Sequence, residues 1–247
     1  MNNQFNPDKQ HTLKSAISIA GTGLHTGIMA DLTMKPASPG FGLQFQRIDL
    51  PNQPIIKADC DLVTDVSRGT TLEANGAKVS TVEHVLAALV GMGIDNCLLE
   101  INGPEMPIMD GSSQPFVELI EEVGVLEQDA AKVWYSIDEN IYYYDEAKRV
   151  EMVAMPAMEY NITTLIDFNS PVLGTQHAGL KQMRDFASEI APCRTFCFLH
   201  ELEMLLEHNL IKGGDVNNAI VIVDKPVDAT EMDRLKKIFK KDKIEVK

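Results

Sequence analysis

Cysteine is scarce, and Cys60, Cys97, Cys193 and Cys197 are spaced without a CxxC pair. A disulfide framework and a thiolate zinc site are thereby excluded, and the four are expected to be reduced core residues. Basic residues are in deficit, with 22 Lys and Arg against 36 Asp and Glu and a formal net charge of -14. Neutralising phosphates requires a net basic face, so no nucleic acid is expected as a partner. Nowhere do about 18 apolar residues follow one another, which leaves no transmembrane segment. No N-terminal stretch joins a basic segment to an apolar run and a small-residue cleavage site, so a cytoplasmic location is expected. GxxxxGK and GxGxxG are absent, removing the Gly-rich phosphate cradles; Gly213-Gly214, followed by Asp215, reads as a turn.

What is present fits a folded chain. Its 247 residues are 45% apolar and 23% charged, the balance of a soluble globular protein. That length suits two compact units of roughly 120 residues each. Asn75-Gly76 separates two short Thr-, Leu- and Val-bearing runs within Gly69–Ser80, which predicts a hairpin with a type I′ turn. Val82, Val85, Leu86, Leu89 and Val90 then recur at helical spacing, with Gly91 and Gly93 as stops. A strand is expected at Cys97–Ile101, and a second helix from Ser113 and Pro115 to Gly124 with Phe116, Leu119, Ile120 and Val123 inward.

Apolar periodicity lapses at Gln128–Lys132, and the boundary between a first unit (1–127) and a second (133–247) is placed there. Beyond it, Val133–Ile137, Ile141–Tyr144, Val150–Ala154 and Tyr160–Phe168 read as strands, Leu199–His208 as a helix and Ala219–Val223 as a buried strand. The basic cluster Lys236–Lys247, beside Leu235, Ile238 and Phe239, reads as an amphipathic helix with a solvated face. Strand runs with helices segregated between them indicate an α+β fold rather than a doubly wound parallel sheet.

Of the six histidines, His84 alone has a carboxylate beside it at the start of a helix with small residues, Ala87, Ala88 and Gly91, on its own face. One reading makes His84 a metal ligand and Glu83 a general base for metal-bound water. Another makes Ser80-Thr81-Val82-Glu83 a capping box, with His84 a packing residue. From these residues alone both stand. His200-Glu201 opens another helix, but Met204 occupies the place where a zincin would carry its second His, so this helix reads as scaffold.

The run Ser80–Leu89, reading STVEHVLAAL, resembles the motif of the UDP-3-O-acyl-N-acetylglucosamine deacetylase (LpxC) family. Gly93-Ile94-Asp95-Asn96, EMPIMDG at Glu105–Gly111, GTGLHTG at Gly21–Gly27, Arg194-Thr195-Phe196 with Phe198, and GGDVNNAIV at Gly213–Val221 agree with the same family. The resemblance implies two α+β domains of ribosomal-protein-S5-like β-α-α-β type, each with helices on a small sheet, and an active site between them. It implies one Zn2+ with His84 as a ligand, Glu83 as the base and Thr195 as hydrogen-bond donor to the oxyanion of the acetamide. Leu24, His25, Phe196 and Phe198 would contact the substrate, a UDP-linked acyl-N-acetylglucosamine of lipid A synthesis. The segment from Gly213 would help form the passage for its acyl chain.

Family members take their second and third zinc ligands from a HKxxDxxGD motif, with a later His as acid. No His here is followed four residues on by Asp, and none follows His208. The expectation is therefore the N-terminal part of a longer deacetylase, with the forms fused to a 3-hydroxyacyl-carrier-protein dehydratase among the candidates. The second unit would be truncated at its C-terminal end, and the chain alone inactive. The alternative is a non-catalytic relative that binds the UDP-sugar or a partner.

Overall fold

The computed structural model describes residues 6–207, 212–215, 217–224 and 229–239. In the first half, strands β1 (Lys9–Leu13), β2 (Ile17–Thr22), β3 (Met29–Pro36), β4 (Leu43–Arg47), β5 (Ile55–Lys57), β6 (Val63–Asp65), β7 (Thr71–Ala74), β8 (Ala77–Val79), β9 (Cys97–Ile101) and β10 (Val125–Ala131) frame helices α1 (Glu83–Gly91) and α2 (Gln114–Val123). Five of these strands form a sheet in the order β2-β3-β9-β4-β5, antiparallel except where β4 meets β9. Ala30, Leu32 and Met34 of β3 and Cys97, Leu99 and Ile101 of β9 are buried at every second position, as a sheet with one face in a core requires. Val85, Ala88 and Leu89 of α1 and Phe116, Val117 and Ile120 of α2 belong to the same core cluster.

The local signals in this half act as expected. Asn75 and Gly76 have φ of 54° and 73°, the double left-handed pair of a type I′ turn joining β7 to β8. Gly93 (φ 75°) follows α1, and Gly124 (φ 77°, ψ 166°) stops α2 in a conformation that disfavours a side chain. Pro115 sits in the first turn of α2, where its missing N–H costs nothing.

The stretch Gln128–Lys132 is a different matter. Most of it is the second part of β10, which pairs antiparallel with β1 from Val125↔Leu13 to Ala131↔Lys9, and Lys132 N–H donates to the Asp8 carbonyl. Ladder bonds are made by the backbone, so this polar strand needs no apolar periodicity. Val133–Ile137, expected as a strand, carries no strand.

The second half has β11 (Ile141–Asp145), β12 (Val150–Ala154), β13 (Ile162–Asp167), β14 (Thr175–Leu180), α3 (Phe186–Glu189), β15 (Phe196–Phe198), α4 (Leu199–Glu207), β16 (Ile220–Ile222) and α5 (Ala229–Phe239). β11-β12 and β13-β14 are separate antiparallel pairs, and β15 runs parallel to β16. Strand β14, reading TQHAGL, lacks an apolar signature, so the side-chain pattern does not mark it. β16 is shorter than expected and half-exposed rather than buried. α5 buries Leu235 and exposes Lys237, as an amphipathic helix should, while residues 240–247 and His208 lie outside the described residues.

The cysteines are all free, but only Cys97 is a core residue; Cys60 and Cys193 are exposed and Cys197 is half-buried. Among the described residues no helix is long and apolar enough to cross a membrane. The protein is thus a mixed α and β structure of small sheets. Its two halves meet where Phe186, 5% exposed, lies against Gly91 of α1, at a place a Cβ would fill. That is the close approach which the small residues of this helix permit.

Candidate active site

Glu83 opens α1, but not as a capping residue. The N-cap is Val82, with helical φ and ψ and no side-chain cap, and Ser80 N–H donates to the Pro104 carbonyl instead. The Glu83 carboxylate accepts from the Thr70 N–H at 2.9 Å, and an added Cβ on Gly69 would stand 3.1 Å from its other oxygen. The capping box is therefore excluded. A carboxylate oriented by one backbone amide, and otherwise half-exposed, keeps lone pairs with which to take a proton.

His84 follows on the same helix and is partly buried. Burial holds its imidazole below the usual 6.5, against the opposing pull of the Glu83 and Asp110 carboxylates. A neutral ring at neutral pH is the form that ligates a metal. Asp110 is fixed in turn, its Oδ1 accepting from Ser112 N–H at 3.0 Å and Ser112 Oγ at 2.7 Å.

The GTGLHTG loop is tied to this region through Glu105, a residue to which sequence reasoning assigned no role. Its carboxylate accepts from the His25 and Thr26 amides, the Thr26 hydroxyl and the Thr81 hydroxyl. Gly23 belongs to the same knot: a Cβ there would lie 2.5 Å from Glu105 Oε2. His25 Nε2 lies 3.2 Å from the Arg68 carbonyl, which can only accept, so this nitrogen carries the proton.

From the second half, Thr195 N–H donates to the Gly111 carbonyl at 2.7 Å and Arg194 Nε to the Asp110 carbonyl at 2.6 Å. Gly111 (φ 85°) leaves room for the Asn218 carbonyl, with which a Cβ would collide. The Gly213-Gly214 turn is closed by Asn218, which donates to the Gly213 carbonyl and accepts from Asp215 N–H, and it pairs with the GTGLHTG loop through Gly213 N–H to the Leu24 carbonyl.

The result is a cleft lined by Leu24, His25, Arg68, Thr195, Phe196, Cys197, Leu202, Gly214, Asp215, Ala219 and Val221. It unites Leu24, His25, Thr195 and Phe196. Phe198 stands outside this lining, in an edge-to-face cluster with Phe196 and Phe168, and stacks on His200. Glu83 and His84 are likewise not in the lining; they are linked to it through Thr70, two residues after Arg68, and through Asp110.

Zinc asks for three protein ligands at a catalytic site. Among the described residues no third donor gathers at His84; the group of three close ligand atoms is the exposed Asp59, Cys60 and Asp61, where Asp59 already accepts from the Asp61 N–H. The described residues therefore supply one imidazole but do not complete such a site.

A family model described as LpxC, UDP-3-O-acyl N-acetylglycosamine deacetylase, matches residues 10–244. Among relatives, a bifunctional enzyme LpxC/FabZ of Chlorobaculum tepidum is 48% identical over 227 residues, which are 92% of this chain and 49% of that protein. UDP-3-O-acyl-N-acetylglucosamine deacetylases of Myxococcus xanthus and Trichormus variabilis are 45% and 42% identical, over 86% of this chain and 68% and 78% of theirs. The chain thus spans about half the length of the bifunctional relatives. With the match running through both halves, the chain belongs to the UDP-3-O-acyl N-acetylglycosamine deacetylase (LpxC) family.

Proposed function

We propose that this chain carries part of the machinery that hydrolyses the acetamide of a UDP-3-O-(3-hydroxyacyl)-N-acetylglucosamine, releasing acetate, in lipid A synthesis in the cytoplasm. The observation that carries it is the tie between Thr195 and the Gly111 carbonyl, which joins the segment entering β15 to the loop beside Glu83 and His84. In this reading Glu83 takes the proton of the attacking water, with Thr70 N–H setting the direction of its carboxylate. The Thr195 hydroxyl donates to the carbonyl oxygen as it becomes an oxyanion. Leu24, His25 and Phe196 hold the substrate in the cleft, with Phe198 behind Phe196. His84 is one ligand of a zinc ion whose other ligands come from outside the described residues.

The division into two S5-like domains, expected at 1–127 and 133–247, belongs to the same proposal, with the first unit extended through Ala131 because β10 pairs with β1 up to that residue. Relatives named bifunctional LpxC/FabZ support a fused dehydratase in the complete protein.

Glu83→Ala in the complete protein should keep zinc and lose about 10² to 10⁴-fold in kcat. His84→Ala should instead lose zinc affinity, so metal analysis beside kcat separates the two. Wild-type turnover in Glu83→Ala sinks the base assignment, and unchanged zinc affinity in His84→Ala sinks the ligand. Residues 1–247 alone should bind zinc weakly and release no acetate, against a control carrying the HKxxDxxGD segment. The incomplete ligand set favours one second reading, a UDP-sugar binder without hydrolysis. A complete protein that binds the UDP-sugar but never releases acetate decides for it.

A further inference from the structure

Glu105 is a buried charged group that the proposed chemistry leaves unused. It is 1% exposed, and isolated burial of a carboxylate is costly unless its lone pairs are filled. Here His25 N–H (2.9 Å) and Thr81 Oγ1 (3.0 Å) meet Oε1, while Thr26 N–H (2.8 Å) and Thr26 Oγ1 (2.7 Å) meet Oε2. Those donors come from two segments more than fifty residues apart in sequence.

On one side stands Thr81. Its φ is 59°, a left-handed conformation that a β-branched residue adopts only under constraint. It is two residues before Glu83 and three before His84. The flanking backbone is held as well, with Ser80 N–H on the Pro104 carbonyl and Met106 N–H on the Ser80 carbonyl. Side chain and backbone around Glu105 together set the direction in which the chain enters α1.

On the other side stands the loop of Leu24, His25 and Thr26. With its amides fixed on Glu105, the loop presents the Leu24 and His25 carbonyls to Gly213 and Lys212 N–H, and the His25 ring to Arg68. Arg68 lies two residues from Thr70, whose N–H holds Glu83.

We infer that Glu105 is a positioning residue: it holds Thr81 and the 24–26 loop together so that Glu83 and His84 are aimed at the cleft that His25 and Thr195 line. This rests on the proposed roles of Glu83 and His84. Glu105→Gln keeps the volume but turns an NH2 group toward either the His25 or the Thr26 amide, whichever way the side chain is flipped. In the complete protein it should lower kcat roughly 10 to 100-fold, as misplacement of reacting groups does, and leave KM within about threefold. Because His84 is aimed through the same contacts, zinc affinity should fall with kcat, and amide exchange at His25 and Thr26 should quicken.

Thr81→Gly, added to Glu105→Gln, should recover part of the lost kcat, because glycine takes a φ of 59° without strain. A carboxylate that merely stabilised the fold would leave kcat per folded molecule unchanged, and glycine would then recover only the folded fraction. Unchanged kcat and KM in Glu105→Gln overturn the inference, as does a kcat loss matched by loss of folded protein without recovery by glycine. Should Glu105→Gln fail to fold, Thr26→Val removes a single hydroxyl donor and should still lower kcat by a smaller factor; no loss there overturns it equally. If the wild-type protein releases no acetate, the functional reading fails by itself. The imidazole resonances of His84 then serve as readout: a shift in Glu105→Gln supports the positioning role, and unmoved resonances end it.

Discussion

Cys97 shows how one side chain couples packing to pH. It is fully buried in β9, and burial pushes its thiol up from 9.0 to about 12, with only the Lys35 backbone opposing. The folded state thus holds this proton more tightly than the unfolded chain. Stability from this group is intact below pH 9 and is lost as pH climbs toward 12, by up to roughly 4 kcal/mol for a three-unit shift. Denaturant titrations at pH 8 and 11 should show that loss in the wild type and a smaller one in Cys97→Ala; parallel losses would count against it. At pH 8, iodoacetamide should label the exposed Cys60 and Cys193 and spare Cys97 until the protein unfolds. Labelling of native Cys97 at the rate of the other two would contradict this assignment.

At the scale of elements, two joints deserve testing. The β1-β10 ribbon is fastened to the sheet by Asn96, 1% exposed, whose Oδ1 accepts from Gly42 N–H while its Nδ2 donates to Gln10 and Gln128. Removing that amide leaves three half-buried groups without this partner at once, so Asn96→Ala should lower the unfolding free energy by about 2–4 kcal/mol. A change under about 0.5 kcal/mol, the scale of an ordinary surface substitution, would mean the ribbon is held otherwise. The second joint is the end of α2. Gly124 has φ 77° and ψ 166°, which a side chain strains to reach, so Gly124→Ala should cost about 1–3 kcal/mol. Thermal melts would detect it, and an unshifted midpoint would show that the turn relaxes. Both helices of the first half were readable from apolar spacing and glycine stops. β10 was not, because its pairing is made by backbone groups that leave no mark on side-chain pattern.

The whole molecule is uneven. Buried apolar residues concentrate in the first half, whereas Trp134, Tyr135, Tyr142, Tyr144, Met152 and Leu165 in the second are all more than 60% exposed. Strands β11, β12 and β13 bury none of their residues, so their pairs rest on hairpin hydrogen bonds with little packing. Apolar surface of that extent favours association. Residues 1–247 alone should therefore sediment partly as oligomers. Limited proteolysis should cut within 133–180 well before it touches 9–131, since local opening is easiest where few apolar contacts are buried. Equal cleavage in both halves would contradict this distribution of stability.

The amino-acid sequence by itself determined the hairpin at Asn75-Gly76 and the spans of α1 and β9, and its family resemblance pointed to candidate chemistry at Glu83, His84 and Thr195. These depend on neighbours along the chain: turn dihedrals, apolar period and recognisable motif runs. The tertiary structure alone decided that Glu83 answers to Thr70 rather than to a cap, and that Glu105 gathers donors from two distant segments. It alone decided that Thr195 meets Gly111. Such contacts join residues far apart in sequence, and a hydrogen bond formed on folding leaves no periodic trace in the chain that makes it.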